Sequence, residues 1–453
     1  MSVRWSAVGE RLAAGIEERE RVLSRFLERE QERLARACHD MARAFARGGT
    51  LVPFGVGPAA TDVAHVTVEF MHPVIVGKRA LPALAATNDP TGLSDPSRFL
   101  RADDIALALV HGTTGDGPIA DFLLEARRRG TLTISMGGGA TAPDADYAFG
   151  VASADPAIVQ EVQETAYHEL WELVHVFFEH PGLLSEACIT CGDVAVEATV
   201  VAVRNGTAVI EKNGAREEVA VELVERVEVG DVLLCHAGVA LEKLPGGETA
   251  PAEDPSGFLY PFLGAEEKNL EAVLADVSAS IVRKGRDVIE LRRGIDLEAV
   301  ERCARAVRER LDRGGRLIAF GNGGSSTDAQ DLAADCLAGG REAIALTNDV
   351  ATVTAVGNDV GFDKVFARQL IPLAREPDVA VAISTSGSSP NVVAGLEEAH
   401  RRGMLTVGIT GYDGGRLAEL EWLDHLFVAR SDYIPRLQEA HATIYHLLLE
   451  AVG

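Results

Sequence analysis

Basic residues are what this chain has too few of. Lys and Arg total 43 against 68 Asp and Glu in 453 residues, a formal net charge of -25. That balance excludes the cationic footprint that nucleic acid or an anionic membrane surface requires. The run Arg127, Arg128, Arg129 does not reverse the sum and reads as a solvated helix face. Six cysteines, scattered except for Cys188 and Cys191, cannot make a disulfide scaffold. No apolar stretch reaches about 18 residues, so no transmembrane helix is expected. The N-terminus carries acid where a secretory leader needs its apolar core. A cytoplasmic, reduced protein, without membrane or nucleic-acid partners, is the expectation. Aromatics are only 5%, while hydrophobic residues reach 47% and glycines number 45. This composition suits a helix-rich α/β protein with material for two to four domains.

What the chain does have is a repeat of itself. FGVGPAATDVAHVTVE at 54–69 aligns with FGNGGSSTDAQDLAAD at 320–335, and Thr87-Asn88-Asp89 with Thr347-Asn348-Asp349. EARRRGTLTI at 125–134 aligns with EAHRRGMLTV at 398–407, and QEVQETAYH at 160–168 with QEAHATIYH at 438–446. Four blocks in one order describe two copies of one α/β domain, over 1–180 and 265–453. Long charged helices open each copy, at about 8–48 and 265–313. Apolar runs then alternate with helical patterns, as in a doubly wound parallel sheet covered on both faces. Between the copies the period switches to two, with Asn-Gly turns at 205–206 and 213–214, so 186–247 reads as a small antiparallel β-barrel. The Pro-, Gly- and acid-rich stretch beyond it makes 248–264 a linker.

Copy two places hydroxyls at two strand-to-helix turns, GNGGSS at 321–326 and STSGSS at 384–389. Backbone N–H groups at helix N-termini, ringed by hydroxyls, cradle an anion such as phosphate. Ser325, Ser384, Thr385, Ser386 and Ser389 are the residues concerned, with helix capping as the competing role.

Together with TNDVATVTAVGNDVGFDKVFARQ at 347–369 and LQEAHATIYH near the end, these loops resemble the sugar isomerase (SIS) domain. The nearest branch is phosphoheptose isomerase. The resemblance covers nearly all of 270–453 and extends more weakly, through the repeat, over 1–180. It implies flavodoxin-like domains and a ketose-to-aldose phosphate isomerisation through an enediol. Such chemistry needs a base, an acid and an anchor for the phosphorylated sugar. In that family a His and a Glu four residues apart join a Gln and a His on the closing helix, often around zinc. A spacing of four puts both members of a pair on one helix face.

Carried across, copy one holds the full set. The resemblance assigns Glu69 as base and His168 as acid, with His65, Glu69, Gln160 and His168 available to zinc or another divalent metal. Its anchors are eroded: Ala59 replaces the first serine, and VHGTTGDG at 110–117, with Thr113 and Thr114, replaces ISTSGSS. Copy two keeps the anchors but has Asp331 and Asp335 in the His and Glu positions. Asp335 and His446 are then its catalytic residues, and Asn322, Asp349 and Gln438 its sugar-binding ones. SIS sites are built at subunit junctions, so complementary losses imply a composite site, copies paired within the chain, and a homo-oligomer.

The middle module resembles the HypC/HupF family of nickel–iron hydrogenase maturation chaperones, through CITCGDVAVEATVVAV at 188–203 and VGDVLLCHAGVALEKL at 229–244. The resemblance implies an OB-like barrel and a cysteine thiolate that meets iron beside a HypD-like partner. Cys188, with Cys191 three residues on, holds that position; Cys235 and His236 read as packed strand residues. The reading is a sugar-phosphate isomerase fused to a hydrogenase-maturation module. Its rival is a non-catalytic assembly scaffold that uses SIS domains for dimerisation or ligand sensing.

Overall fold

Strand runs of four to seven apolar residues have no polar face to offer water, and both copies bury them in a parallel sheet between helices. The computed structural model describes residues 6–74, 78–87, 96–112, 117–139, 142–180, 183–184, 196–204, 207–212, 215–221, 224, 226–236, 239–244 and 270–453. In copy one, α1 (Ser6–Ala46) precedes β1 (Leu51–Gly55), α2 (Ala60–Met71), β2 (Ala86–Thr87) and β3 (Ile105–Val110). After these come α3 (Pro118–Arg128), β4 (Leu132–Gly138), β5 (Tyr147–Val151) and α4 (Pro156–Phe178). The sheet runs β2-β1-β3-β4-β5 and is parallel throughout.

Five short strands follow: β6 (Val196–Arg204), β7 (Thr207–Lys212), β8 (Ala215–Ala220), β9 (Val232–His236) and β10 (Val239–Leu244). They close into a barrel in the order β10-β8-β7-β6-β9. Ala198, Val200, Ala208, Ile210, Val219, Leu233, Cys235 and Ala240 fill its interior, the alternate residues that period-two patterning puts inside.

Copy two consists of α5 (Leu270–Arg293), α6 (Leu297–Asp312), β11 (Leu317–Gly321), α7 (Gly324–Ala338), β12 (Ala343–Ala345), α8 (Val350–Asp359) and α9 (Val365–Leu373). It ends with β13 (Val379–Ser384), α10 (Pro390–Arg401), β14 (Leu405–Gly411), β15 (His425–Ala429) and α11 (Ile434–Val452). Its sheet order, β12-β11-β13-β14-β15, repeats that of copy one strand for strand. The helical stretch expected over 265–313 is two helices. Gly294 ends the first, and Asp296 starts the second by accepting the Ala299 N–H at 2.9 Å. Among the described residues no helix is long and apolar enough to cross a membrane.

The copies exchange their leading helices. Val8, Leu12 and Ile16 of α1 pack in the core of copy two, with Val300, Val307 and Leu448. Val273, Val277, Ile281 and Val288 of α5 lie in the core of copy one, with Leu23, Leu34 and Trp171. A Cβ on Gly285 would sit 2.1 Å from Leu27 Cδ1, so the glycine sets how closely α5 approaches α1. The seam also buries charge. Glu161 of α4 accepts Arg19 Nε at 2.8 Å, Thr443 Oγ1 at 2.6 Å and His446 Nδ1 at 2.9 Å, and pairs with Arg292 at 3.1 Å. Burial alone would raise its acid, but Arg19, Arg292 and His446 override that and hold it well below the ordinary carboxylate range.

Candidate active site at the seam

In an open α/β sheet, ligands bind where the strand order reverses, outside the carboxyl ends of the strands. Here that crevice lies between β11 and β13 in copy two, and both hydroxyl loops open onto it. Asn322 and Asn391 clasp the loops together through two side-chain bonds of 2.9 and 2.8 Å. Ser384 Oγ and Ser389 Oγ stand 3.3 Å apart, and Ser386 Oγ accepts the Ser388 N–H at 3.2 Å. Ser389 precedes α10 yet its side chain makes no cap bond, so its hydroxyl is not used in capping. Ser325 and Ser384 are buried, Thr385 is half-buried and Ser386 exposed. Asp349 serves another purpose: it caps α8, accepting Thr352 N at 3.2 Å and Thr352 Oγ1 at 2.5 Å.

The loop of copy two faces the acid/base residues of copy one. On α2, His65 and Glu69 share a face, with His65 Nε2 3.8 Å from Glu69 Oε1. His168 on α4 stacks edge-on to His65 with ring centroids 5.3 Å apart. Gln438 of α11 reaches in from copy two, its Nε2 3.0 Å from His65 Nε2 and 3.2 Å from Glu69 Oε1. A Cβ on Gly324 would lie 2.0 Å from Gln438 Nε2 and 2.9 Å from His65 Nε2. The N-terminus of α7 therefore abuts these side chains, and a Cβ at Gly324 would displace the Gln438 amide. One expectation needs correcting: the amide that meets His65 and Glu69 is Gln438 from the other copy, not Gln160. The helix pairing across the seam brings Gln438 to His65 and Glu69, which reading each copy along its own chain cannot reveal.

Two acids absent from the expected set also belong here. Glu164 offers a carboxylate oxygen that lies with ring nitrogens of His65 and His168 within 4.8 Å of one another. Glu439 takes the His168 Nδ1 at 2.9 Å, both groups fully buried. Their signal was in the sequence. Gln160, Glu164 and His168 recur every four residues on one helix face, and a Glu follows the Gln in both copies.

Burial dominates the electrostatics. It lifts Glu69 to about 7 against the opposing bond from Gln438. It also raises Glu164, helped by Asp328, and Asp328, helped by Asp331. His65 and His168 are pushed well down, both by burial first, His65 then by its neighbour His168 and His168 by Arg436, which favours neutral rings near pH 7. With its Nδ1–H given to Glu439, neutral His168 presents an Nε2 lone pair. That is the form of a ligand rather than of the acid expected.

Several acceptors here are buried and unpaired: Glu69 Oε2, Glu164 Oε1, His168 Nε2, Gln438 Oε1 and Asp328 Oδ2. Each such group costs about 1–3 kcal/mol when left without a partner. The Glu164 carboxylate and the rings of His65 and His168, the latter oriented by Glu439, form a donor set that fits a divalent cation.

The counterpart cluster, built on copy two, is different in kind. His446 Nε2 lies 3.4 Å from Asp335 Oδ2 and 3.6 Å from Asp331 Oδ2. Burial would depress His446, but Asp331, Asp335 and Glu161 raise it well above the ordinary imidazole value. Tyr445 donates to Asp331 Oδ2 at 2.8 Å and Thr61 of copy one to its Oδ1 at 3.1 Å. Ala59 stands where copy two has Ser325, and His111 after β3 is bound to Asp62 at 2.6 Å. Thr113, Thr114, Cys188 and Cys191 lie outside the described residues. Cys38, Cys235, Cys303 and Cys336 are buried thiols.

Comparison with known proteins gives the same division of the chain. The SIS domain family matches residues 16–118 and 284–411, and the HupF/HypC family matches residues 194–252. Phosphoheptose isomerase from Solidesulfovibrio magneticus is 45% identical over 161 residues, 34% of this chain and 78% of that protein. Phosphoheptose isomerase from Geobacter sulfurreducens is 41% identical over 186 residues, 40% of this chain and 97% of that protein. A solved putative sugar binding protein from Salmonella typhimurium LT2 superposes with a TM-score of 0.52 at 13% identity, covering 98% of this chain and 99% of its own. That last likeness is one of fold.

Proposed function

We infer that this chain, which belongs to the SIS-domain family in its phosphoheptose isomerase branch and carries a HupF/HypC-family module, is a sugar-phosphate isomerase with one composite site per chain. The observation that carries the reading is the approach of His65 in copy one to Gly324 and Gln438 in copy two, with Glu69 bonded to Gln438 and His168 to Glu439. Acid/base residues and phosphate loops that are each incomplete within one copy are complete across the seam.

Phosphate would be held at the N-termini of α7 and α10 by backbone N–H groups and by Ser325, Ser384, Thr385, Ser386 and Ser389. Asn322 braces the two loops. His65, His168 and Gln438 would hold a divalent ion such as zinc, with Glu69 or Glu164 beside it; when bound, the ion polarises the sugar's carbonyl oxygen. Glu69, poised near neutrality, takes the proton from the carbon next to the carbonyl and returns it to the former carbonyl carbon. The hydroxyl proton of the first carbon passes to the former carbonyl oxygen at the enediol stage, so two protons move and no atom is lost.

Since Glu69 works ionised, kcat/KM for a seven-carbon ketose phosphate is expected to rise with pH through about 7. A profile already flat above pH 5 would assign the proton transfer to an ordinary exposed carboxylate instead.

The finer part of the proposal places this isomerase in nickel–iron hydrogenase maturation. It rests on the HupF/HypC match over 194–252, with Cys188 and Cys191 just before it as iron-facing thiolates beside a HypD-like partner. Cys188→Ala is expected to abolish co-purification of iron and of the maturation partner. Equal recovery of both with wild type and variant would leave the module as a barrel without that role.

A further inference from the structure

We propose that the cavity between α5 and β15 in copy two binds a phosphorylated metabolite, and that Arg436 carries its presence to His168. The cavity holds about 940 Å³, within the roughly 300–1,000 Å³ usual for small-molecule sites. It opens where the leading helix of copy two breaks, and Gly294, Ile295 and Asp296 of the break line it. In copy one α1 runs unbroken from Ser6 to Ala46. There Arg29 donates to the Gly150 carbonyl of β5, and the Arg33 guanidinium lies 5.2 Å over the Phe149 ring. Phe427, at the matching place on β15, is instead a wall of the cavity.

Charge indicates the ligand. Arg283, Lys284, Arg286, Arg430 and Arg436 line the cavity against Asp287, Glu290 and Asp296, an excess of cations in a chain of net charge -25. Asp296 is already engaged, capping α6 through the Ala299 N–H at 2.9 Å. Arg283, Arg286 and Arg430 are exposed and have no hydrogen-bond or ion-pair partner among the described residues. Guanidinium forks match phosphate oxygens two at a time. The N-terminus of α11 borders the same space, and its N-cap Tyr433 makes no side-chain cap bond, so the helix dipole adds to the positive field. Leu291, Leu426, Val428 and Ile444 supply an apolar wall. This lining fits an organic phosphate with an apolar body, of nucleotide size.

The cavity has a route to the active centre, and this half of the proposal rests on the isomerase reading. Arg436, part of the cavity wall, is 2% exposed. Its Nη2 stands 2.9 Å from Glu439 Oε1, the same oxygen that takes His168 Nδ1 at 2.9 Å. It also bonds Glu169 at 2.9 Å and the Lys284 carbonyl at 3.2 Å. An anion held in the cavity draws on the Arg436 charge that steadies Glu439, and so loosens the carboxylate behind the His168 ring. The bound metabolite is therefore an inhibitor that does not compete with substrate.

Binding is tested first, without reference to turnover. Full-length protein carrying Ser384→Ala and Ser386→Ala, which weakens the phosphate loops, is titrated by calorimetry with ADP and with pyrophosphate. ADP is expected to bind, and adding Arg286→Ala and Arg430→Ala should weaken it about tenfold or more. The melting temperature should hold, because both arginines are exposed and unpartnered. No binding of either probe, or equal affinity once the arginines are gone, overturns the site. With the serines intact and substrate saturating, ADP should lower kcat about fivefold, the low end of ordinary coupling, and spare Arg286→Ala/Arg430→Ala. An unchanged wild-type kcat with ADP bound overturns the link through Arg436. Absence of turnover in all variants, with or without ADP, would count against the isomerase reading, while the calorimetry still decides the cavity.

Discussion

Glu69→Gln should lower isomerisation of a ketose phosphate by about 10³-fold or more, within the range that a general base contributes. The amide has the same shape, can still bond Gln438, and removes a buried acid, so the melting temperature should not fall. The matching change in copy two, Asp335→Asn, separates the two halves of the seam. Turnover that follows Asp335 instead of Glu69 would move the active site to the other cluster and end the composite assignment. The expected asymmetry has a structural basis. Glu69 is bonded to Gln438, which abuts an α7 N-terminus flanked by serines, whereas Asp335 faces His446.

The second large effect is on stability. Glu161→Leu should cost about 3–5 kcal/mol, the usual loss when one member of a buried ion cluster is removed and its partners stay charged. Arg292 and His446 would be left facing an apolar side chain, and Arg19 would keep Glu450, at 2.5 Å, as its ion-pair partner, with the Gly15 carbonyl at 3.2 Å. The pH dependence has a definite sign. The Glu161 acid is depressed in the folded chain, so its stabilisation is present above the ordinary carboxylate value of about 4.3 and is lost as pH falls further. Urea midpoints measured below pH 5 should therefore fall more steeply for the wild type than for the variant. Equal midpoints at pH 7 would remove this cluster from the account of the seam.

The fold was legible because the repeat carries its own control: blocks that align in one order must build the same topology. Both sheets run in the same strand order, and the period-two stretch closes into a barrel, antiparallel as expected except where β10 meets β8 in parallel at Val239 and Ala220. The break at Gly294 was not legible, since the apolar pattern continues across it and only the cap at Asp296 marks a new start. At the site, residue types could be read but not their partners. His65 and Glu69 announce each other by a spacing of four, yet nothing along the chain says that Gln438, 373 positions beyond His65, bonds them in place of Gln160. Glu164 and Glu439 carry a spacing signal, but not one that tells burial from exposure. As buried acids they look like ordinary helix-surface residues until tertiary packing removes water from around them.

The exchanged leading helices have a consequence for how the chain is made. Synthesis runs from the N-terminus, and domains ordinarily fold as they emerge. The first sheet cannot do so in full, because Val273, Val277, Ile281 and Val288 are part of its core and emerge only after the barrel. Val8, Leu12 and Ile16 wait longer still, until the last helix supplies Leu448. During translation the nascent chain must hold an open apolar groove over more than a hundred residues of growth. The barrel, whose core is drawn entirely from residues 198–240, is the one unit that can close on its own meanwhile. Its place in the middle of the chain makes it the first finished piece, a folded spacer around which the two unfinished halves later meet.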